Sequence, residues 1–203
     1  MIAERRTRRA GGARRAAVAE TAAAVLAERG YESTRFADVS EASGAAISTL
    51  QNYFGSREDM LIEAIRHATE VEVLALEAVA DAERDPWNRL VAMIDRNLNT
   101  PLRNHQLLIE VWRSSMRDAE LRDYSEEGWA RYRAPFVRTV IEGSETGIFT
   151  PVASPDDIVD LLLAWLVGAM VPRALQFPRP TADGFRNSLL RQMTLMLGRT
   201  GYS

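Results

Sequence analysis

The sequence predicts an all-α fold of about nine helices, because its apolar residues recur every three to four positions rather than every two. Two further observations agree. Proline, glycine, serine and threonine stand at intervals where helices would begin or end. The chain has 203 residues, 46% of them hydrophobic and 26% charged, enough for a sizeable core in one large domain or two small ones.

The elements follow in order. Val18, Ala22, Val25 and Leu26 line one face of a first helix that Gly30 stops. Thr34 is placed to cap a short second helix carrying Phe36, Val39 and Ser43 on one face and ending at Gly44. A third short helix covers about Ala46 to Tyr53, with Leu50 and Phe54 turned inward. Ser56 caps a long fourth helix to about Ala82, with Glu58 and Asp59 where the helix dipole favours acids. Pro86 and Pro101 open the fifth and sixth helices, since proline lacks only an N–H that the first turn does not use. A seventh spans roughly Leu121 to Ser144, and Gly143 to Phe149 then form a loop. Ser154-Pro155-Asp156-Asp157 is a combined cap and start for the eighth, which Pro172 kinks or ends. Pro178 and Pro180 mark the next connection, and Thr181 caps a ninth helix carrying Phe185, Leu189, Met193 and Leu197.

Composition bounds the function classes. There is no cysteine, which removes disulfides and thiolate metal sites and suits a cytoplasmic protein. The longest apolar stretch, Ile158 to Val171, is 14 residues long and interrupted by Asp160, too short to cross a membrane. The arginine-rich N-terminus has no continuous apolar segment, so no signal peptide is expected. The net charge of −3 is unevenly spread: residues 1–57 carry nine arginines against six acids, leaving 16 basic and 22 acidic residues beyond. A basic head on an acidic body is the asymmetry expected when only the head meets phosphate. All 25 basic residues are arginine, in the acidic body as well as the head, so genome-wide bias explains the missing lysine better than phosphate recognition does.

Two short helices around a glycine turn suit a helix-turn-helix at 34–54, whose second helix would enter a major groove, although such pairs also occur as plain packing units. The string from Gly30-Tyr31 through Thr34, Gly44, Thr49-Leu50 and Phe54 to Arg57-Glu58-Asp59-Met60-Leu61 resembles the N-terminal signature of the TetR family of repressors, without gaps, over about residues 14–65. Departures from the family pattern fall at Gln51 (usually tyrosine), Ala45 (valine), Ala46 (serine) and Arg57 (lysine). The resemblance implies a DNA-binding domain over 1–57, with 1–13 a flexible basic arm, and a ligand-binding and dimerisation domain over 58–203. It also implies that Ala46, Ile47, Ser48, Thr49, Asn52 and Tyr53 lie against DNA. Within that set, Ile47 offers apolar contact to a thymine methyl, Asn52 and Gln51 directional contacts to bases, and Thr34, Thr49 and Tyr53 phosphate contacts. Gln51 is either a reader of an adenine edge or a solvated helix residue. Arg57, in a first helical turn where a cation is disfavoured, is either a phosphate anchor or a surface arginine. Arg5, Arg6, Arg8, Arg9, Arg14 and Arg15 either gain order on DNA or form a tail without contacts.

In the body the resemblance, to betaine-repressor-like members, is looser. Met93, Trp112, Met116, Trp129, Tyr132, Phe136 and Trp165 are candidates for a ligand pocket, with Asn97, Tyr132 or Arg133 to orient a largely apolar or aromatic molecule; an aromatic stripe at helical spacing is also ordinary core. Leu161, Leu162, Trp165, Val167, Gly168 and Met170, with Leu190, Met193 and Leu197 of the ninth helix, are expected to form a two-fold homodimer interface. The implied mechanism is a repressor released from a two-fold symmetric operator by a small effector, with the fourth helix as lever. Activation or dual regulation is the alternative effect, and a helical small-molecule-binding protein without DNA activity the alternative class. The two histidines, His67 and His105, have no metal-ligand spacing, and no nucleophile elbow is present, so neither catalysis, metal nor cofactor is expected.

Overall fold

The computed structural model describes residues 2–177 and 182–199, with side chains from Gly12 to Phe177 and from Asp183 to Arg199. Among these residues the regular elements are all helical: α1 (Ile2–Arg29), α2 (Phe36–Ser43), α3 (Ile47–Phe54), α4 (Arg57–Ala82), α5 (Pro86–Leu98), α6 (Leu102–Ser115), α7 (Ala119–Glu145), α8 (Pro155–Ala174) and α9 (Ala182–Met196). They form two compact units. Unit 1 takes the described residues up to Glu72 together with Gln106–Glu126; unit 2 takes Val73–His105 and those from Glu127 onward. Helices α4, α6 and α7 therefore each contribute residues to both units. The boundary expected after residue 57 falls inside unit 1.

Unit 1 closes on Ala22, Leu26, Val39, Leu50, Leu61 and Ala64, all fully buried. Val111 and Leu121, far along the chain, complete that core. Between α2 and α3, Gly44 has φ +69, a left-handed conformation that a side chain would resist, and its N–H returns to the Ser40 carbonyl at 2.9 Å. Ser40 Oγ donates to the Ala45 carbonyl at 2.7 Å, which closes the turn. The start of α2 differs from the expectation. Its N-cap is Arg35, whose amide donates to Asp38 Oδ2 at 2.7 Å, while the Thr34 hydroxyl turns back to the Gly30 carbonyl at 2.9 Å. Thr34 thus finishes the preceding turn instead of capping the following helix.

Unit 2 packs α5, α8 and α9 around Leu90, Met93, Ile94, Phe136, Leu162 and Met193. Asp85 caps α5 by accepting from the Asn88 amide at 2.9 Å, and Ser154 caps α8 by accepting from Asp157 at 3.1 Å. Pro101 stands one residue ahead of α6, its carbonyl accepting from the Asn104 amide at 3.0 Å. Helix α8 does not stop at Pro172 but carries it as an internal residue to Ala174. The loop after α7 depends on a close approach. A Cβ on Gly143 would lie 2.1 Å from Cδ2 of Phe149, so only glycine lets the buried Phe149 ring rest on that helix. Thr150 and Val152 then donate their amides to Leu197 and Met196 at 2.8 and 3.0 Å, tying the loop to the end of α9. The expected cap Thr181 and the connection marked by Pro178 and Pro180 lie outside the described residues.

Candidate functional site

Helix α3 is amphipathic over two turns. Leu50 and Phe54 are buried, which forces the opposite face outward. That face carries Ala46, Ile47, Ser48, Gln51 and Asn52, all exposed, with Ile47 at 42%. No hydrogen bond within the described structure uses the side chains of Ser48, Gln51 or Asn52, so their donors and acceptors are open to an outside partner. Thr49 and Tyr53 are half-buried at the edge of the same face, and the Tyr53 ring meets Phe54 edge-on at 6.1 Å between centroids.

Two residues expected on phosphates are occupied elsewhere. Thr34 is fully buried and gives its hydroxyl proton to Gly30, so its side chain is not presented to a backbone phosphate. Arg57 donates from Nε to the Thr34 carbonyl at 2.6 Å, from one terminal nitrogen to the Tyr31 carbonyl, and from the other to Glu58 at 3.0 Å. Its guanidinium also lies over the Tyr31 ring, 5.5 Å from the centroid. In this structure the guanidinium at the start of α4 is held by two backbone carbonyls and Glu58. Burial first, then the Asp118 carboxylate, raises the Tyr31 phenol above its ordinary pKa, against the lowering effect of the Arg57 charge.

The backbone of α1 is helical from Ile2, while the side chains of Arg5, Arg6, Arg8 and Arg9 lie outside the described residues. Arg15 is fixed, pairing with Glu63 at 3.0 Å and covering the Phe54 ring at 5.4 Å. One further contact has no local signal in the sequence. The Tyr31 amide donates to Glu110 Oε1 of α6 at 2.5 Å, and Arg113 holds both oxygens of that carboxylate, at 2.7 and 2.9 Å. An (i, i+3) Glu–Arg pair is legible in sequence, but nothing there points it at a backbone amide 79 residues away.

The expected pocket residues separate into two groups. Met93 and Phe136 belong to the buried core of unit 2 and Tyr132 and Trp165 pack against it; the rings of Tyr132 and Phe136 lie 6.1 Å apart and tilted. Asn97, one of the three expected orienting groups, donates to the hydroxyl of a second, Tyr132, at 2.7 Å. Trp112 and Met116 instead belong to unit 1, and Met116 is 73% exposed. Trp129 is exposed outside the unit 2 core. Arg133 is engaged by Asp156 and Asp160 at 2.7 Å each, which links α7 to α8. Among the interface candidates, Leu162, Met170, Leu190, Met193 and Leu197 are buried within the chain's own core, a correction to their expected role. Leu161 and Gly168 are exposed, and Val167 and Trp165 half-buried. Neither histidine joins a metal-binding group, and no such group occurs among the described residues.

Comparison with known proteins identifies the family. Residues 18–64 match the description "Bacterial regulatory proteins, tetR family", and residues 86–198, more than half of the chain, match "BetI-type transcriptional repressor, C-terminal". The HTH-type transcriptional repressor KstR2 of Mycobacterium tuberculosis is 26% identical over 140 residues, covering 68% of this chain and 70% of that protein. An HTH-type transcriptional regulator of Bacillus subtilis, YfiR, is 27% identical over 179 residues, 84% of each chain. Among solved structures, a regulator from Saccharomonospora viridis in complex with choline has a TM-score of 0.78 at 26% identity, covering 89% of this chain and 95% of that one.

Proposed function

Because this chain belongs to the TetR family of bacterial regulatory proteins, with a BetI-type repressor C-terminal region, we propose that it represses transcription by holding a two-fold symmetric operator until a small effector releases it. The observation that carries the DNA half of this reading is the outward face of α3, where Ser48, Gln51 and Asn52 have no internal partner and Ile47 stands exposed. An amide side chain can satisfy a base edge with a donor and an acceptor at once, so Gln51 and Asn52 are the specificity residues, with adenine the preferred partner. Ile47 supplies apolar contact to a thymine methyl. Thr49 and Tyr53 at the margin hold phosphates and set the helix in its groove.

Symmetric recognition needs a dimer, and α8 carries a surface suited to one. Leu161, Ala164, Gly168, Val171 and Leu175 are exposed at spacings of three and four, which puts them on one stripe without a charge. Gly168 has open space beyond its missing Cβ, so a second helix can approach closely there. Leu195, 63% exposed, extends apolar surface onto α9. Two copies related by a two-fold axis would cover the stripes with each other and set the recognition helices about 34–36 Å apart, or a multiple of it.

For the effector, the Met93, Tyr132, Phe136 and Trp165 cluster with the Asn97–Tyr132 hydrogen bond favours a small, largely apolar or aromatic molecule. A second reading is favoured by the structurally similar regulator bound to choline: the same aromatic faces could attract a quaternary ammonium cation. A repressor acting on chromosomal DNA would work in the cytoplasm; among the described residues no helix is long and apolar enough to cross a membrane.

Selection of bound sequences from random duplex DNA tests the central claim. Enrichment of a two-fold symmetric site, released by a compound from one of these two classes, is the expected result. Failure to enrich any symmetric site would overturn it.

A further inference from the structure

Glu110 stands on α6, a helix whose first residues, Leu102–His105, belong to unit 2 and whose remainder belongs to unit 1. Its carboxylate reaches the turn between α1 and α2. There Oε1 accepts the Tyr31 amide at 2.5 Å and also lies 3.6 Å from where a Cβ on Gly30 would be. Without it, that amide would be a donor left over at the end of α1, where the backbone has already turned away from helical pairing. On the other side of the same residue, the Tyr31 carbonyl accepts from Arg57, which also holds the Thr34 carbonyl. Tyr31 is therefore gripped from both sides, by α6 through its N–H and by the first residue of α4 through its carbonyl. Arg113 fixes the carboxylate with two parallel hydrogen bonds, which removes its freedom to swing with solvent.

We infer that Glu110 is a positioning residue for DNA binding: through the Tyr31 amide it locks α6 to the turn from which α2 and the recognition helix α3 start. This rests on the proposed function, because it supplies the residue through which a change in α6 reaches the operator face. A retreat of the carboxylate by about 1 Å along the bond already stretches it past hydrogen-bonding range. Linkage makes the effect reciprocal: if the position of α6 alters operator affinity, operator binding must alter the stability of α6 by the same factor.

The test compares wild type with Glu110→Ala, Glu110→Gln and Arg113→Ala, each first checked for a cooperative thermal transition. The probe is the duplex that wild type enriches from a random pool. Hydrogen exchange is followed in peptides covering residues 30–35 and 106–115. In free wild-type protein the Tyr31 amide exchanges slowly, and adding the duplex slows exchange in 106–115. For Glu110→Ala the Tyr31 region exchanges faster, the duplex no longer protects 106–115, and affinity falls about tenfold. Glu110→Gln, whose amide oxygen can still accept the Tyr31 N–H, recovers most of the loss. Arg113→Ala, which leaves the acceptor but frees its orientation, falls between. If Glu110→Ala keeps both the duplex affinity and the protection of 106–115, the inference is overturned even though the operator reading stands. If wild type enriches no duplex, that reading fails, and the inference fails with it as a DNA-binding device; exchange at Tyr31 then reports only whether the bond exists.

Discussion

The Nε of Arg57 donates to the carbonyl of Thr34 at 2.6 Å, joining the first residue of α4 to the residue that ends the turn before α2. Together with the Tyr31 carbonyl, two backbone acceptors depend on this one guanidinium. Arg57→Ala should therefore lower stability by about 1–3 kcal/mol, the cost of leaving partly buried acceptors unpaired. Arg57→Lys should recover little, because an ammonium lacks the fork that spans both carbonyls. Urea denaturation measures both. The dependence of operator affinity on salt should keep its slope, since this guanidinium is already held by partners within the protein; a slope lower by about one would make it a phosphate contact.

Gln51→Ala and Asn52→Ala act in the opposite way. Both side chains are exposed and lack internal partners, so the thermal midpoint should hardly move. Discrimination at the contacted base should weaken by about 1–3 kcal/mol for each residue that reads one. Repeating the sequence selection with each variant locates the base: the preference that disappears belongs to the residue removed.

A charge placed in the α8 stripe should separate two copies without unfolding either. Gly168→Arg introduces a long cation where the missing Cβ faces open space, so the isolated chain accepts it. Sedimentation at micromolar concentration should give a dimer for wild type and a monomer for the variant. A dimeric variant would move the interface away from α8.

Gly143→Ala tests the loop that closes unit 2. The new methyl would sit 2.1 Å from the Phe149 ring, and neither the α7 backbone nor a buried aromatic yields easily. Overpacking of this kind costs about 1–3 kcal/mol, readable as a lower thermal midpoint. The double variant Gly143→Ala, Phe149→Leu should recover part of that loss.

Low pH should loosen the Glu110 contact. Burial alone would raise its carboxyl pKa, but the Arg113 hydrogen bonds, the Tyr31 amide and the Arg113 charge outweigh it and hold the group below its ordinary range. A depressed folded-state value favours the ionised form in the native protein. The contribution is thus complete above the unfolded value of about 4.3 and disappears as pH falls through the lower folded value. The stability difference between wild type and Glu110→Gln should shrink over that acidic window and stay constant above it.

Periodicity and punctuation made the helices legible. The 3.6-residue repeat of Val18, Ala22, Val25 and Leu26, and the Ser154-Pro155 start, are local signals that packing had no reason to override. The exposed face of α3 was legible for the same reason, since burying Leu50 and Phe54 leaves Ser48, Gln51 and Asn52 outside. What sequence could not give was the destination of long side chains. Arg57 in a first helical turn suggests an external anion, yet two carbonyls 23 and 26 residues earlier supply the negative partner. A threonine before a helix, as Thr34 is, can serve either the turn behind it or the helix ahead, and only geometry decides. Likewise Leu190, Met193 and Leu197 are apolar enough for a dimer face, but the same chain covers them.

The core of unit 1 is assembled from two distant stretches: Val111 and Leu121 are as much part of it as Leu26 or Leu50. This limits how the protein can be re-engineered as a sensor. A chimera that transplants residues 1–57 onto a foreign effector domain leaves Leu107, Val111, Leu121 and Tyr124 behind and asks unrelated side chains to fill their places. Rewiring this regulator is thus a matter of matching the residues of α4, α6 and α7 that fill the core of unit 1, and the natural unit of exchange is a packed surface rather than a length of chain.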